Sequence, residues 1–293
     1  MKSKISILVT GANGQLGREL QTIASLHPEF TFLFLTRNDF DITVESWVNK
    51  RILDTRPDVV INAAAYTNVE KAEEEQAEAE AGNTLAPGYL AHACKEAGSM
   101  LIHVSTDYVF NGNQRQPYVE SDEPSPLNVY GKTKLKGERR VDAEMNRYFI
   151  LRTSWLYSLH GHNFYKTMLR LAKEHGKLRV VNDQIATPTY ARILAQDILT
   201  LIRKKLIEEQ PIPYGLYHYT HEGEASWFDF AEAIMTLNQL SVPVEPVASS
   251  AFPTKAIRPH YSKLNIAHWA TSTGIATLTW QEALRHCVSD GAK

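Results

Sequence analysis

With only two cysteines in 293 residues, the chain has no material for a disulfide framework, and neither Cys94 nor Cys287 has companion ligands at metal-binding spacing. Both read as inert thiols. No metal site is expected: His160 and His162 lie in a loop without further ligands, and His103, inside an apolar strand, reads as a satisfied core histidine. An excess of one charge sign is also missing. The formal net charge is −2, so neither nucleic acid nor another polyanion is an expected partner. The apolar run near the start, at 5–9, is shorter than the core of a secretory signal and far shorter than a bilayer span. A cytoplasmic location without membrane association is the expectation. Low-complexity tracts and internal repeats are absent, and a composition of 43% hydrophobic and 22% charged residues excludes a disordered chain.

What the chain does have is a regular alternation. A short β-branched strand at 5–9 is followed at once by Thr10-Gly11-Ala12-Asn13-Gly14-Gln15-Leu16-Gly17 and a helical stretch to 24. A second strand at 30–35, a helix at 44–55 entered through Asp41-Ile42-Thr43, and a third strand at 58–64 repeat the unit. Then come a long helical region at 70–97, acidic at its start and interrupted by Pro87, a strand at 100–104, a helix at 135–145 and a strand at 148–152. Strands alternating with helices predict an α/β fold, a Rossmann-like doubly wound parallel sheet covered on both faces. Beyond Trp155 the pattern loosens: a helix at 163–175, a strand at 178–181, a helix at 191–208, residues 215–219 after Pro211 and Pro213, a helix at 227–240 and a Pro-rich loop at 243–259. The expected division is a dinucleotide-binding domain over 1–155, joined by about 190–210, and a smaller, less regular C-terminal substrate domain over 156–189 and 211–293.

Gly11, Gly14 and Gly17 sit between the first strand and the first helix. Glycines serve turns in every fold, so it is this placement that matters: small residues let backbone N–H groups approach a pyrophosphate while the helix turns its positive end toward it. At the end of the second strand an acid would bind ribose hydroxyls and repel a 2′-phosphate. Here the residues are Thr36-Arg37, and Arg37 can pair with that phosphate. NADPH is therefore the expected cofactor, with NADH also allowed.

The strand at 100–104 runs into Ser105-Thr106-Asp107-Tyr108, placing hydroxyls where open parallel sheets bind ligands. Tyr130 and Lys134 follow, four residues apart and so on one helical face. Tyr-x-x-x-Lys alone is common on solvated helices. In this order on a dinucleotide-binding scaffold, the three make a carbonyl-reducing set. Ser105 or Thr106 donates to the substrate oxygen, Tyr130 delivers a proton, and Lys134 lowers the phenol pKa and binds the nicotinamide ribose.

The turn at 10–17, Asn62-Ala63-Ala64-Ala65-Tyr66-Thr67, the segment 105–110 and the Tyr130/Lys134 pair resemble the extended short-chain dehydrogenase/reductases. More narrowly, Ser125-Pro126-Leu127-Asn128-Val129-Tyr130-Gly131-Lys132-Thr133-Lys134, Arg152-Thr153-Ser154-Trp155, Asn163-Phe164, Arg258-Pro259, Ser262 and Leu264-Asn265 resemble the dTDP-4-dehydrorhamnose reductases, over about 5–284. That resemblance implies Thr106 rather than Ser105 as the catalytic hydroxyl, with Tyr130 and Lys134. It places Gly14, Gln15 and Leu16 at the pyrophosphate, Asp41 and Ile42 near the adenine, and Ala64, Ala65, Tyr66 and Thr67 toward the nicotinamide. Asp107, Tyr108 and Trp155 would meet the sugar, and Arg258, from a basic group with Lys255, His260 and Lys263, the diphosphate. Trp227 and Trp280 read as packing. The implied reaction reduces the C4 carbonyl of dTDP-4-dehydro-β-L-rhamnose to dTDP-β-L-rhamnose.

Two other readings share these residues. A nucleotide-sugar epimerase or dehydratase would place an acid pair beside the strand-end hydroxyl, where Thr106-Asp107 offers one carboxylate. A non-catalytic NADP-binding subunit, like the regulatory subunit of methionine adenosyltransferase, would not require the intact Thr106, Tyr130 and Lys134 set. Some relatives dimerise through a divalent metal held by acids of two helices. Glu19 matches the first acid, but Tyr190-Ala191-Arg192-Ile193 has none at the second, so a monomer or weak, metal-independent homodimer is expected.

Overall fold

The computed structural model describes residues 4–292. β1 (Ile5–Thr10), β2 (Phe30–Phe34), β3 (Val59–Asn62), β4 (Met100–Thr106) and β5 (Tyr148–Thr153) join Gly215–His218 in a six-stranded sheet. The order is Gly215–His218, β5, β4, β3, β1, β2, and every pairing is parallel. Burial follows position in the sheet. β3 and β5 are buried throughout, because helices cover both faces, whereas the edge strand β2 alternates between buried and more exposed residues.

Helix α1 (Gln15–Ile23) buries Leu16, Leu20 and Ile23 on one face, packed with Leu194, Ile198 and Leu201 of Ala191–Ile202. On the other face, α2 (Glu45–Thr55) buries Val48 and Ile52 with Leu90, Ala93 and Cys94 of Ala86–Ala97. The chain runs from β1 outward to β2 and then returns to β3 on the other side of β1. That reversal opens a crevice beyond the carboxyl ends of β1 and β3.

Three elements differ from their sequence expectations. The long helical region is broken into Val69–Ala72, Gln76–Glu80, a π turn at Ala81–Leu85, and Ala86–Ala97. Pro87 lies at the start of the last of these, immediately after the π turn. The helix expected at 135–145 begins at Val129, started by Asn128, whose side chain accepts from the Gly131 N–H at 2.8 Å. Its start is masked by Gly131 and the polar residues around it, which carry no apolar periodicity.

The third difference corrects the domain boundary. Gly215–His218, placed by the sequence in the substrate domain, pairs with β5 in the main sheet. Trp269, from the helix Ala267–Thr273, packs edge-on against Tyr217 and Tyr219 in the same core. The smaller lobe therefore has its own core from Phe164–Glu174, Trp227–Leu237 and Trp280–Gly291, where Tyr165, Phe230, Ile234 and Leu284 are buried together. The last two helices start at capping boxes, Ser226 with Asp229 and Thr279 with Glu282. The Pro-rich loop contributes Val244–Val247, which pairs in parallel with Leu178–Val181. Among the described residues no helix is long and apolar enough to cross a membrane.

Because β1 lies at the reversal with both faces covered, Leu8→Ala, at a fully buried site, should cost about 2–5 kcal/mol. Urea denaturation should show a lower midpoint with an unchanged slope.

Candidate active site

The crevice is an open cleft of about 1300 Å³ that runs from the glycine turn to the Val129–Glu144 helix. At one end, Gly11 adopts φ +65°, and a Cβ there would lie 2.7 Å from the Ala64 nitrogen, so β1 and β3 can meet only through glycine. Gly14 caps α1 without any side chain accepting from the first turn. Those free N–H groups, together with Gln15 and Leu16 in the wall, fit the diphosphate of a dinucleotide. Gly17 is buried within α1 and does not line the cleft. Gln15 also reaches the second lobe: its Nε2 donates to the Leu156 carbonyl at 3.3 Å and its Oε1 accepts from Asn163 at 2.9 Å.

Thr36 and Arg37 line the same end, as do Asp41 and Ile42. The Arg37 side chain is 82% exposed and lies 3.6 Å from Asp41. Burial pushes the Asp41 carboxyl up, but hydrogen bonds from Thr43 and the nearby guanidinium outweigh it and hold the group below its ordinary range. Ala64, Ala65, Tyr66 and Thr67 form the wall beyond β3. There the π turn matters: Asn83 accepts from the Tyr66 N–H and donates to the Tyr66 carbonyl, at 2.9 and 3.0 Å, and so fixes this wall.

At the other end, Thr106, Asp107, Tyr108, Tyr130, Lys134 and Trp155 all line the cleft. Gly131 lets the helix approach: a side chain there would collide with the Tyr108 carbonyl. Tyr130 consequently shares a hydrogen bond with the Thr106 hydroxyl, and its ring meets that of Tyr108 edge-on at 5.9 Å. Ser105 donates to Glu138, and both it and Thr106 line the cleft. Thr106 Oγ1 donates to Asp107 Oδ1 at 3.2 Å.

Lys134, 2% exposed, donates from Nζ to the Val104 carbonyl at 2.6 Å. The Tyr130 phenol is pushed up to about 12, first by burial and then by Asp107, with the Thr106 hydrogen bond opposing. Burial and Asp107 thus keep the phenol protonated, as a proton donor must be. Burial pushes Lys134 itself down to about 8, with Glu138 opposing. Asp107 is pushed up to about 7 by burial, against hydrogen bonds from Ser262, at 2.5 Å, and Thr106.

Trp155 adopts φ +45° and stacks face to face on Trp227 at 3.5 Å. Trp227, read from sequence as packing, lines the cleft; no spacing marks it, because it opens a helix of the other lobe. Arg258 does not line the cleft. It pairs with Glu70 at 2.6 Å and hydrogen-bonds Tyr108, while Lys255 pairs with Glu74 and Lys263 with Glu224. His103 is only half satisfied: Nδ1 accepts from Asn62 at 2.9 Å, and Nε2 has no partner. Among the described residues no cluster of potential metal ligands occurs.

A glycine turn at a sheet reversal and a Thr-Tyr-Lys set at the next strand end define a dinucleotide-dependent oxidoreductase of the extended short-chain dehydrogenase/reductase type. The chain belongs to the family described as RmlD substrate binding domain, whose model matches residues 5–292, and to the dTDP-4-dehydrorhamnose reductases. It is 42% identical over 286 residues to the dTDP-4-dehydrorhamnose reductase of Aggregatibacter actinomycetemcomitans, covering 96% of this chain and 97% of that one. Among solved structures, it resembles the reductase from Clostridium acetobutylicum with a TM-score of 0.92 and 42% identity, over 99% of this chain and 100% of the other. The Bacillus anthracis reductase in complex with NADP gives a TM-score of 0.92 and 38% identity, over 98% and 99%.

The raised Asp107 pKa has a consequence for stability. Because the folded state binds this proton more tightly than the unfolded chain, whose value is near 3.8, stability is lost as pH rises from 3.8 to about 7. Asp107→Asn, which carries no charge, should therefore raise Tm more at pH above that window than below it. Thermal melts at both ends check this; an equal shift at both would reject it.

Proposed function

We propose that this protein uses NADPH, with NADH as a second acceptable donor, to reduce the C4 carbonyl of dTDP-4-dehydro-β-L-rhamnose, giving dTDP-β-L-rhamnose. The observation that carries the reading is the meeting of Thr106, Tyr130 and Lys134 in one cleft whose far end is the glycine turn. The bound nicotinamide supplies a hydride. The α1 N-terminus holds the diphosphate, Arg37 the 2′-phosphate, Asp41 and Ile42 the adenine end, and 64–67 the nicotinamide side. Thr106 and Tyr130 hydrogen-bond the C4 oxygen, and Tyr130 gives up its proton as that oxygen becomes an alkoxide. Lys134, a buried cation beside them, stabilises the phenolate left behind and engages the ribose. Tyr108 and Trp155 form the sugar wall. Arg258 meets the substrate diphosphate, exchanging its bond to Glu70.

The deciding assay follows oxidation of NADPH and of NADH with enzymatically prepared dTDP-4-dehydrorhamnose and identifies the product. Turnover without added reductant would instead favour an epimerase or dehydratase. Tyr130→Phe should lower kcat roughly 100- to 10,000-fold while leaving the NADPH Kd nearly unchanged. Lys134→Ala should damage both, and Arg258→Ala should chiefly raise the substrate KM.

A monomer or weak homodimer that needs no metal forms part of this proposal. Its support is Glu19, which is fully buried and directs its carboxylate to Arg192 and to Ser158, the latter at 2.6 Å. Chelator treatment should leave both molar mass in solution and turnover unchanged.

A further inference from the structure

Tyr130, Lys134 and Glu138 recur at four-residue steps along the Val129–Glu144 helix and therefore share a face. The first two line the cleft, and Glu138 does not. Glu138 is 4% exposed, and its partners fill it: Oε1 accepts from Ser105 Oγ and from Arg152 Nε at 3.0 Å, and Oε2 accepts from Arg152 Nη2 at 2.7 Å. Arg152, on β5, is buried over the Phe110 ring and donates to His218 Nε2 at 3.4 Å. His218 donates a hydrogen bond from Nδ1 to the Tyr118 carbonyl at 3.0 Å and is held neutral by burial.

A buried ion pair is an inefficient way to stabilise a fold, since apolar replacements of similar volume are often neutral or better. This one lies directly behind the buried ammonium of Lys134. The other groups facing Lys134 supply no settled counter-charge. On β4, His103 is kept neutral by burial and Val104 offers a carbonyl; Tyr130, on the same helix, is protonated; Asp107, past the strand end, is half-neutral near pH 7. Behind Glu138 lies Arg152, of the wrong sign.

We propose that Glu138, clamped by Arg152, is a positioning residue for the reduction: its carboxylate keeps Lys134 in the ammonium form and draws Ser105 away from the substrate oxygen, leaving that place to Thr106. The proposal rests on the role given to Lys134 above. The direction of the shifts agrees, since Glu138 is the group opposing the burial that pushes Lys134 down.

The test is the pH dependence of kcat at saturating substrate and NADPH. Glu138→Gln alone leaves Arg152 as an unpaired buried charge, which endangers folding, so the principal variant is Glu138→Gln/Arg152→Met, which removes both charges and keeps the volume. The parent should lose activity on an alkaline limb that Lys134→Arg abolishes, because a guanidinium does not titrate there. The double variant, folded by circular dichroism, should move that limb about one pH unit toward acid. Glu138→Asp, which keeps the charge, should leave it in place. A limb unmoved in the folded double variant, with Lys134→Arg having abolished it, overturns the proposal while sparing the role of Lys134. A limb that survives Lys134→Arg overturns both.

Discussion

A parallel sheet sealed on both faces leaves one place where backbone and side chains can meet a polar ligand, the carboxyl edge of its strands. Everything reactive in this protein obeys that constraint. Gly11 follows β1, Ala64 follows β3, Thr106 ends β4, and Trp155 follows β5. Below this edge the sheet is apolar, and the transition is managed by one row of buried hydrogen bonds across three strands. Thr10 donates to Asn62 at 2.7 Å, and Asn62 donates to His103 at 2.9 Å. The row pairs Thr10, Asn62 and the Nδ1 of His103 between core and cleft, while His103 Nε2 stays without a partner. Because β1 and β3 diverge at this edge, the crevice is a product of chain order before any side chain is chosen.

The second lobe closes the cleft by grasping the first at the functional residues themselves. Asn163 binds Gln15 of the glycine turn, and Ser262 binds Asp107. Trp227 covers Trp155 from the same side. Each contact excludes water from groups whose behaviour depends on desolvation. The phenol, the carboxyl of Asp107 and the ammonium of Lys134 are all shifted first by burial and only then by their neighbours. Packing between lobes and proton chemistry are thus one design problem.

Much of this was legible in the chain. Strand and helix periodicity located five of the six main strands, and the placement of glycines between the first strand and helix located the cofactor end. Tyr130 and Lys134, with Ser105 or Thr106 before them, stood out because carbonyl reduction needs a fixed order; the resemblance alone singled out Thr106. What failed to show depended on long-range contact. Gly215–His218 is short and follows two prolines, so only its partner β5 makes it part of the main sheet. Trp227 carries no local mark, since its place in the cleft comes from stacking on a residue 72 positions earlier in the chain. The pairing of Arg258 with Glu70 likewise joins segments that no spacing relates. Glu138 did leave a signal, the third member of a four-residue series, but a carboxylate at that spacing reads as a solvated helix face until Arg152 is seen beneath it.

The cleft also concentrates the departures from what a stable fold would choose. Asp107 is buried without a cation of its own, Lys134 is an ammonium with a backbone carbonyl as its nearest partner, and Trp155 holds a left-handed backbone suited to glycine. Such strain costs about 1–3 kcal/mol at a single residue and persists only where the surroundings over-determine it. Here they do. Thr189 donates to the Trp155 carbonyl at 3.2 Å, the preceding Ser154 hydroxyl donates to Thr187 at 2.6 Å, and the Trp227 ring lies flat against the indole. Three unfavourable choices in one crevice, each held by contacts from the opposite lobe or the adjacent strand, are hard to explain as accidents of packing. They concentrate in the one crevice where a polar ligand can reach the sheet, and the scaffold around them supplies the stability.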